Sequence, residues 1–319
     1  MTETMIHLSG VTRLFGGVKA LDQINLEVRR GEVMGFLGPN GAGKTTTMRI
    51  LSGLLAPSEG SVAVAGIDVL DHPVEARARI GFLPENPPIY GEMTVREYLD
   101  YLATLRRVPA ARLRAAVERA MERCGLTGVQ DRLLRNLSKG YRQRAGIAQA
   151  IVHGPDVVVL DEPTVGLDPI QIREIRALIR ELGGEHSVLL STHILPEVRM
   201  TCQRVAVIHQ GRIVADDTLE ALENRAQGNS IHFLRWKNPP TPERLEQIPG
   251  IFHVTPREDG WLITATPETD PVPELVRLSA ASGWDLRELT QAGGSLEEIF
   301  LHLTTREERP EEGSEEPSA

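Results

Sequence analysis

The sequence predicts an α/β protein in two parts. The first is a parallel-sheet core carrying an antiparallel β-subdomain and an inserted helical subdomain. The second is a small α+β domain of ferredoxin-like order. Three observations predict this. The short apolar runs Val33–Leu37, Val157–Leu160 and Ser187–Ser191 each precede a helical pattern, as strands buried on both faces do. Ile6, Leu8, Val11, Ile24, Leu26 and Val28 alternate with polar residues, the signature of strands with one buried face. Beyond a change of composition near Gln227, the pattern runs strand, helix, strand, strand, helix, strand. The boundaries read from these patterns are 1–226 for the first domain, with the helical subdomain at about 86–155, then 227–305 for the second. A tail at 306–319, acidic and rich in Pro and Ser, reads as disordered.

Each element has its own signal. Met5–Glu32 reads as two strands around Phe15–Leu21, and Gly60–Val69 as another short pair. After Val33–Leu37, the segment Thr46–Leu54 places Met48, Leu51 and Leu54 on one helical face. Ile80–Glu85 ends a strand, and Asn86-Pro87-Pro88 breaks regular structure. Thr94-Val95-Arg96-Glu97 is a capping box opening a helix with Val95, Tyr98, Leu99, Leu102 and Leu105 on one side. A further helix spans Ala110–Cys124. Ser138 caps a helix that continues to about Val152. Asp168-Pro169 supplies a cap and a first-turn proline for a helix carrying Ile172, Ile175, Ile179 and Leu182. Val205–Val214 reads as a hairpin across Gln210-Gly211. Ser295-Leu296-Glu297-Glu298 is a second capping box, opening a last helix with Ile299, Phe300 and Leu303 apolar.

Composition sets outer bounds. A chain of 319 residues, 41% hydrophobic and 25% charged, is long enough for two globular domains. The net charge of −9 argues against a broad nucleic-acid-binding face. Two cysteines form no disulfide framework and fit a reducing compartment, with Cys124 a small buried residue. The start Met1-Thr2-Glu3-Thr4 shows no signal peptide, and no apolar run reaches the roughly 18–20 residues of a membrane span. A role at a membrane therefore requires another chain to supply the spans.

The chemistry centres on Gly38-Pro39-Asn40-Gly41-Ala42-Gly43-Lys44-Thr45-Thr46. Two glycines separated by four residues, followed by Lys and a hydroxyl residue between strand and helix, make a phosphate loop. Glycines let backbone N–H groups curl round an anion, and the helix N-terminus adds its positive end. Lys44 brings a full charge to the β- and γ-phosphates, and the Thr45 hydroxyl can ligate Mg2+. Asp161 and Glu162 end a buried strand: Asp161 suits a metal held through water, Glu162 the polarisation of an attacking water. A pair of solvated carboxylates at a strand end is the plainer alternative. His193 follows the next strand and suits a hydrogen bond near the γ-phosphate, against the alternative of a surface imidazole. Phe15 is either an adenine-stacking ring or a core residue. His7, His72, His153 and His186 read as structural.

Taken together, the phosphate loop, the Leu137-Ser138-Lys139-Gly140 helix opening, the Asp161-Glu162 strand end, Gly166-Leu167-Asp168 and His193 resemble the ATPase subunit of an ABC transporter. The resemblance covers residues 5 to about 220 and implies a P-loop NTPase core of the ABC-ATPase type. It implies ATP and Mg2+ as cofactors, Phe15 on the adenine, and Gly38 to Thr46 around the phosphates. Glu85 stands where the family usually has Gln, touching Mg2+ and sensing the membrane partner. Ser138 and Gly140 would bind the γ-phosphate of ATP held by the opposite subunit, Asp168 would communicate across the dimer, and His193 would be the switch. Thr45, Glu85 and Asp161 would surround the metal. The helix opening Leu-Ser-Lys-Gly-Tyr departs from the family's Leu-Ser-Gly-Gly-Gln, and a carboxylate at Glu85 repels phosphate as well as ligating metal. Leu83-Pro84-Glu85 and the closing run Gly294–Leu301 are similar to ABC-2-type export ATPases, the gliding-motility and drug-resistance branch.

The resemblance thus implies an ATP-hydrolysing subunit that forms a head-to-tail homodimer with ATP at the interface. It would drive an integral-membrane permease, an exporter, from the inner face of the cell membrane, with no nucleic acid involved. Two rivals remain: a non-transport ATPase of the same family acting on ribosomes or DNA, and a nucleotide-dependent docking module.

Overall fold

The computed structural model describes residues 3–222, 230–257, 260–266 and 269–292. The second capping box, the last helix, the Gly294–Leu301 run and the tail lie outside the described residues. So does the 226/227 boundary read from composition; the chain divides between Asp217 and Thr218 into two compact units.

The first unit opens with β1 (Thr4–Phe15) and β2 (Val18–Arg29), paired antiparallel through Leu8↔Leu26 and Phe15↔Val18. The strands run on to the Gly16-Gly17 turn, so Phe15 and Val18–Leu21 belong to the strands rather than to a linker between them. β3 (Val33–Leu37) is buried throughout and ends at the phosphate loop, which leads into α1 (Lys44–Leu51). This helix starts two positions before Thr46 and stops before Leu54, which is exposed. Gly53, at φ +68°, turns the chain, and the N–H groups of Gly53 and Leu54 bond back to the Ile50 and Arg49 carbonyls. β4 (Glu59–Val64) and β5 (Ile67–Asp68) complete an antiparallel sheet of order β2-β1-β4-β5.

After α2 (Pro73–Ala78), β6 (Ile80–Leu83) enters the core sheet. The helical insertion follows as α3 (Val95–Leu105), α4 (Ala110–Arg123) and α5 (Lys139–Ile151). The Thr94/Glu97 capping box forms as predicted, each side chain bonding the other's backbone N–H. The buried face of α3 is Val95, Tyr98, Leu99 and Ala103, with Leu105 turned outward. The chain then returns through β7 (Val157–Asp161), α6 (Pro169–Leu182), β8 (Ser187–Thr192), α7 (Leu195–Thr201), β9 (Arg204–His209) and β10 (Arg212–Thr218). Gln210 and Gly211, both at positive φ, make the tight turn between the last two.

The core sheet has the order β10-β9-β3-β8-β7-β6, and the pairs from β9 to β6 are parallel. β3, β7 and β8 are buried along their whole length, which accounts for their unbroken apolar sequences. The register aligns Leu37 with Thr192 and Asp161 with Ser191, so the strands end level with one another.

Both cysteines are buried in this unit. Burial pushes the Cys124 thiol up to about 12 and raises that of Cys202 well beyond the usual range. At pH 8 a disulfide reagent such as dithionitrobenzoate should therefore label neither thiol in the native protein and both in guanidinium. Rapid native labelling would contradict the packing around them.

The second unit comprises β11 (Ser230–Trp236), α8 (Pro242–Glu246), β12 (Ile251–Arg257), β13 (Gly260–Ala265), α9 (Val272–Ala281) and β14 (Leu286–Ala292). Its sheet has the order β12-β13-β11-β14 with every pair antiparallel, the ferredoxin-like arrangement predicted from the element order. The core includes Leu234, Trp236, Leu245, Ile263, Leu275 and Trp284. Trp236 and Trp284 meet edge to face at 6.0 Å, and the Trp236 indole N–H donates to Ser279 Oγ at 2.8 Å.

Candidate functional site

Three strand ends converge at the carboxyl edge of the core sheet, the usual ligand edge of an open parallel sheet. β3 delivers the phosphate loop, β7 delivers Asp161 and Glu162, and β8 delivers Thr192 and His193. A hydrogen bond from the Gly38 N–H to the Thr192 carbonyl, 3.3 Å, joins the loop to the end of β8.

The loop has room for nothing larger than glycine at two points. A Cβ on Gly38 would lie 2.4 Å from the Ile208 carbonyl oxygen. Gly43 sits at φ +111°, and a Cβ there would lie 2.6 Å from Leu21 Cδ2. Lys44 is buried; its ammonium donates to the carbonyls of Gly38 (2.7 Å) and Pro39 (3.1 Å) and stands 3.3 Å from Glu162 Oε1. The Thr45 hydroxyl has no protein partner among the described residues and remains available to a metal.

Glu162 lies beyond the strand proper, at φ +49°. This is a costly backbone for a non-glycine residue, of the kind that functional sites hold in place. Its N–H is held by Ser191, through the carbonyl at 3.2 Å and Oγ at 3.0 Å. Ser191 Oγ in turn donates to Asp161 Oδ1 at 2.5 Å. Glu162 Oε2 accepts from His193 Nδ1 at 2.9 Å. Lysine and histidine therefore grip the two oxygens of one carboxylate, and the serine aligns both acids.

A cleft of about 410 Å3 lies over these groups. Asn40, Gly41, Gly43, Lys44, Thr45, Thr46, Glu85, Glu162 and His193 line it, as do Ala20 and Val165, which the sequence did not single out. Pro39 and Ala42 contribute to the loop's own backbone; the Ala42 N–H bonds to the Pro39 carbonyl at 3.3 Å. Asp161 lies beneath the cleft, almost fully buried. Two carboxylates, an unpartnered hydroxyl, a lysine and a glycine cradle form a donor set that fits Mg2+ with a polyphosphate.

Four predicted site residues stand outside this cleft. Phe15 is 46% exposed, with the Arg13 guanidinium 4.6 Å over its ring, and is not a core residue. Ser138 is exposed and caps α5 by accepting from the Tyr141 N–H at 3.4 Å. Gly140 is buried, where a Cβ would lie 2.6 Å from Gln171 Cδ. Asp168 Oδ1 accepts from the N–H groups of Ile170 and Gln171, at 3.0 and 2.9 Å. Lys139, the departure in the helix opening, lays its ammonium against Gly166.

Sequence reasoning missed Glu197, which is 1% exposed. One of its oxygens accepts from Thr164 Oγ1 and the other from Thr192 Oγ1 at 2.7 Å, with Arg176 3.7 Å away. Thr164 is two residues past Glu162 and Thr192 directly precedes His193, so one carboxylate ties the two segments together. The only sequence signal was an acidic residue in the first turn of α7, which a helix-dipole preference explains equally well.

A strand–loop–helix grip on phosphate, with carboxylates at the next strand end, places the protein among the phosphate-loop nucleoside triphosphatases. Comparison with known proteins narrows the class. Residues 21–165 match the ABC transporter family model. The chain is 35% identical to the daunorubicin resistance ATP-binding protein DrrA3 of Streptomyces coeruleorubidus, covering 98% of this chain and 100% of that one. It is 33% identical to the bacitracin transport ATP-binding protein BcrA of Bacillus licheniformis, covering 94% and 97%. Among solved structures, the dimeric bacterial ABC transporter cassette MJ0796 superposes with TM-score 0.62 at 25% identity, covering 67% of this chain and 99% of that one. The same cassette is also known in a post-hydrolysis state bound to ADP and Pi. The chain belongs to the family of ABC transporter ATP-binding subunits. It is an ATP-binding ATPase subunit that powers a membrane permease.

Proposed function

We propose that this subunit drives an export permease of the ABC-2 type, from the inner face of the cell membrane, as a head-to-tail homodimer with two ATP molecules between its subunits. One observation carries the reading: the cleft in a single chain is half a site. It collects the phosphate loop, Glu85, Glu162 and His193, while Ser138 stands outside it on the exposed N-terminus of α5. A second copy facing the first in the opposite sense brings its Ser138 and Gly140 to the open side of the phosphates. A dimeric cassette among the structural relatives supports the pairing of two copies.

In this reading each residue has a defined task. Lys44 leaves its loop carbonyls and Glu162 to neutralise the β- and γ-phosphate oxygens. Thr45, Glu85 and Asp161 hold Mg2+, which when bound supplies charge neutralisation to the phosphates. Glu162 accepts a hydrogen bond from the attacking water, and His193 holds both Glu162 and the γ-phosphate edge. Phe15 stacks on adenine, with Arg13 already placed on its ring. The stroke leaves through the helical subdomain, where Tyr90, Tyr101 and Leu105 are exposed and the Tyr90 and Tyr101 rings pack edge to face at 5.8 Å. Among the described residues no helix is long and apolar enough to cross a membrane, so the permease is a separate chain.

The test is affinity purification of a tagged Glu162→Gln chain from detergent-solubilised native membranes with Mg-ATP. Recovery of a polytopic membrane protein, in equal number with the tagged chain, is the expected result. Recovery of ribosomes, DNA or a soluble regulator without such a protein would overturn the transport reading and leave the ATPase standing.

A further inference from the structure

The parallel strands have a second end. Where β6, β7 and β8 begin, the chain forms a partly open cavity of about 290 Å3. It lies across the sheet from the nucleotide cleft, roughly 16 Å away along the five residues of β7. The turn after α3, one face of α4, the end of α5 and the turn entering β8 form its walls.

Its charge is unlike that of the rest of the molecule. Arg106, Arg107, Arg112, Arg119 and Arg123 line it, and Glu185 is the one acidic lining residue, in a chain whose net charge is −9. Glu185 is engaged by Arg123 at 2.8 Å. Arg106 turns inward and donates to the Arg77 and Ile80 carbonyls at 3.2 and 3.4 Å, where burial lowers its pKa. Arg107, Arg112 and Arg119 are exposed and pair with no carboxylate among the described residues. Arg112, Arg119 and Arg123 share one face of α4, and the small buried residues Ala116 and Ala120 between them leave the space open. Arg107 is held at φ +59°, a strained backbone at the cavity mouth.

Two imidazoles complete the lining. His153 Nε2 meets the Ile80 carbonyl at 3.2 Å, which fixes it as the protonated nitrogen, and Nδ1 is a buried acceptor without a partner. Burial, aided by the Arg106 charge, holds His153 down at about 4, so the ring is neutral at pH 7. His186 meets the Pro155 carbonyl at 2.6 Å and is lowered by burial in the same way.

Glu185 offsets Arg123, and the four remaining like charges repel unless a further anion sits among them. Guanidinium forks match phosphate oxygens two at a time, and a neutral imidazole nitrogen accepts from a protonated phosphate oxygen or a neighbouring hydroxyl. The volume is at the small end for ligand pockets. We propose that this cavity binds a small phosphorylated anion, independently of the nucleotide cleft. The same phosphate chemistry is available from a soluble phosphorylated metabolite or from the headgroup of an anionic lipid.

The test uses the full chain with 13C-labelled histidine, read by NMR, with the His153 resonance assigned from a His153→Gln spectrum. Inorganic pyrophosphate is titrated without Mg2+. Any pyrophosphate entering the nucleotide cleft is read separately at His193. A saturable shift of His153, with its titration midpoint raised by about one pH unit or more as the anion offsets the arginine field, is the expected result. In an Arg112→Gln/Arg119→Gln variant, which should keep normal Mg-ATPase activity, the half-saturating concentration should rise at least about tenfold. If pyrophosphate has no effect but phosphatidic acid vesicles bind the native chain and not the double variant, the source is a lipid. An unmoved His153 with both probes, or equal binding by the double variant, would overturn the proposal.

Discussion

Replacing Glu162 by Gln should lower Mg-ATP turnover by about a hundred- to ten-thousand-fold while ATP still binds. The substitution is close to isosteric. The amide can keep the 2.9 Å contact with His193 Nδ1, and the backbone at φ +49° is as available to Gln as to Glu. What disappears is the carboxylate's charge and its capacity to accept a proton from water. Lys44 retains its bonds to the Gly38 and Pro39 carbonyls, so loss of the 3.3 Å pairing with Glu162 does not strand a buried ammonium. Melting temperature should therefore change little, and the ATP-bound dimer should accumulate. Steady-state turnover, nucleotide affinity and gel-filtration mass measured on one preparation separate these effects. Turnover at the native rate would remove Glu162 from the chemical step.

The second large effect belongs to Glu197. Glu197→Ala strips the partner from two threonine hydroxyls at once and leaves the Arg176 guanidinium without its nearest carboxylate. Breaking a buried charged network from one side costs about 3–5 kcal/mol. In a unit of this size that lowers the melting temperature by roughly 10 °C. Turnover should fall too, because Thr164 and Thr192 are the anchors of the segments bearing Glu162 and His193. Glu197→Gln restores hydrogen bonding without charge, so it should recover most of the melting temperature but only part of the turnover. An alanine variant that melts within about a degree of the native protein would show that the carboxylate holds nothing in place.

The parts of this molecule written locally were legible in its sequence. The phosphate loop declares itself because each position meets a separate steric or charge requirement, and the clashes a Cβ would cause at Gly38 and Gly43 show two of them. The Thr94/Glu97 cap and the Asp168 cap are likewise local chemistry. Leu54 and Leu105 were misplaced because spacing marks a face but not where the helix ends. Ser191 and Glu197 were invisible for another reason: the contacts that matter, Ser191 with Asp161 and Glu197 with Thr164, each join residues thirty or more positions apart in the chain. The arginines around the second cavity are scattered from the turn after α3 along α4, and nothing in that spacing reveals that packing brings His153 and His186 behind them.

The position of β3 in its sheet also governs when the protein can come into being. β3 has two neighbours, β8 and β9, and pairs Val33 with Val188 and Met34 with Arg204. A ribosome adding about 5–20 residues per second needs roughly ten to thirty seconds to travel from one partner to the other. Until then the strand that presents the phosphate loop has no ladder on either side, and its apolar sequence is open to pairing with whatever is near. Order of synthesis and order of assembly are thus inverted within the first unit: the segment that will grip the nucleotide emerges early and is seated only when the late strands of that unit arrive.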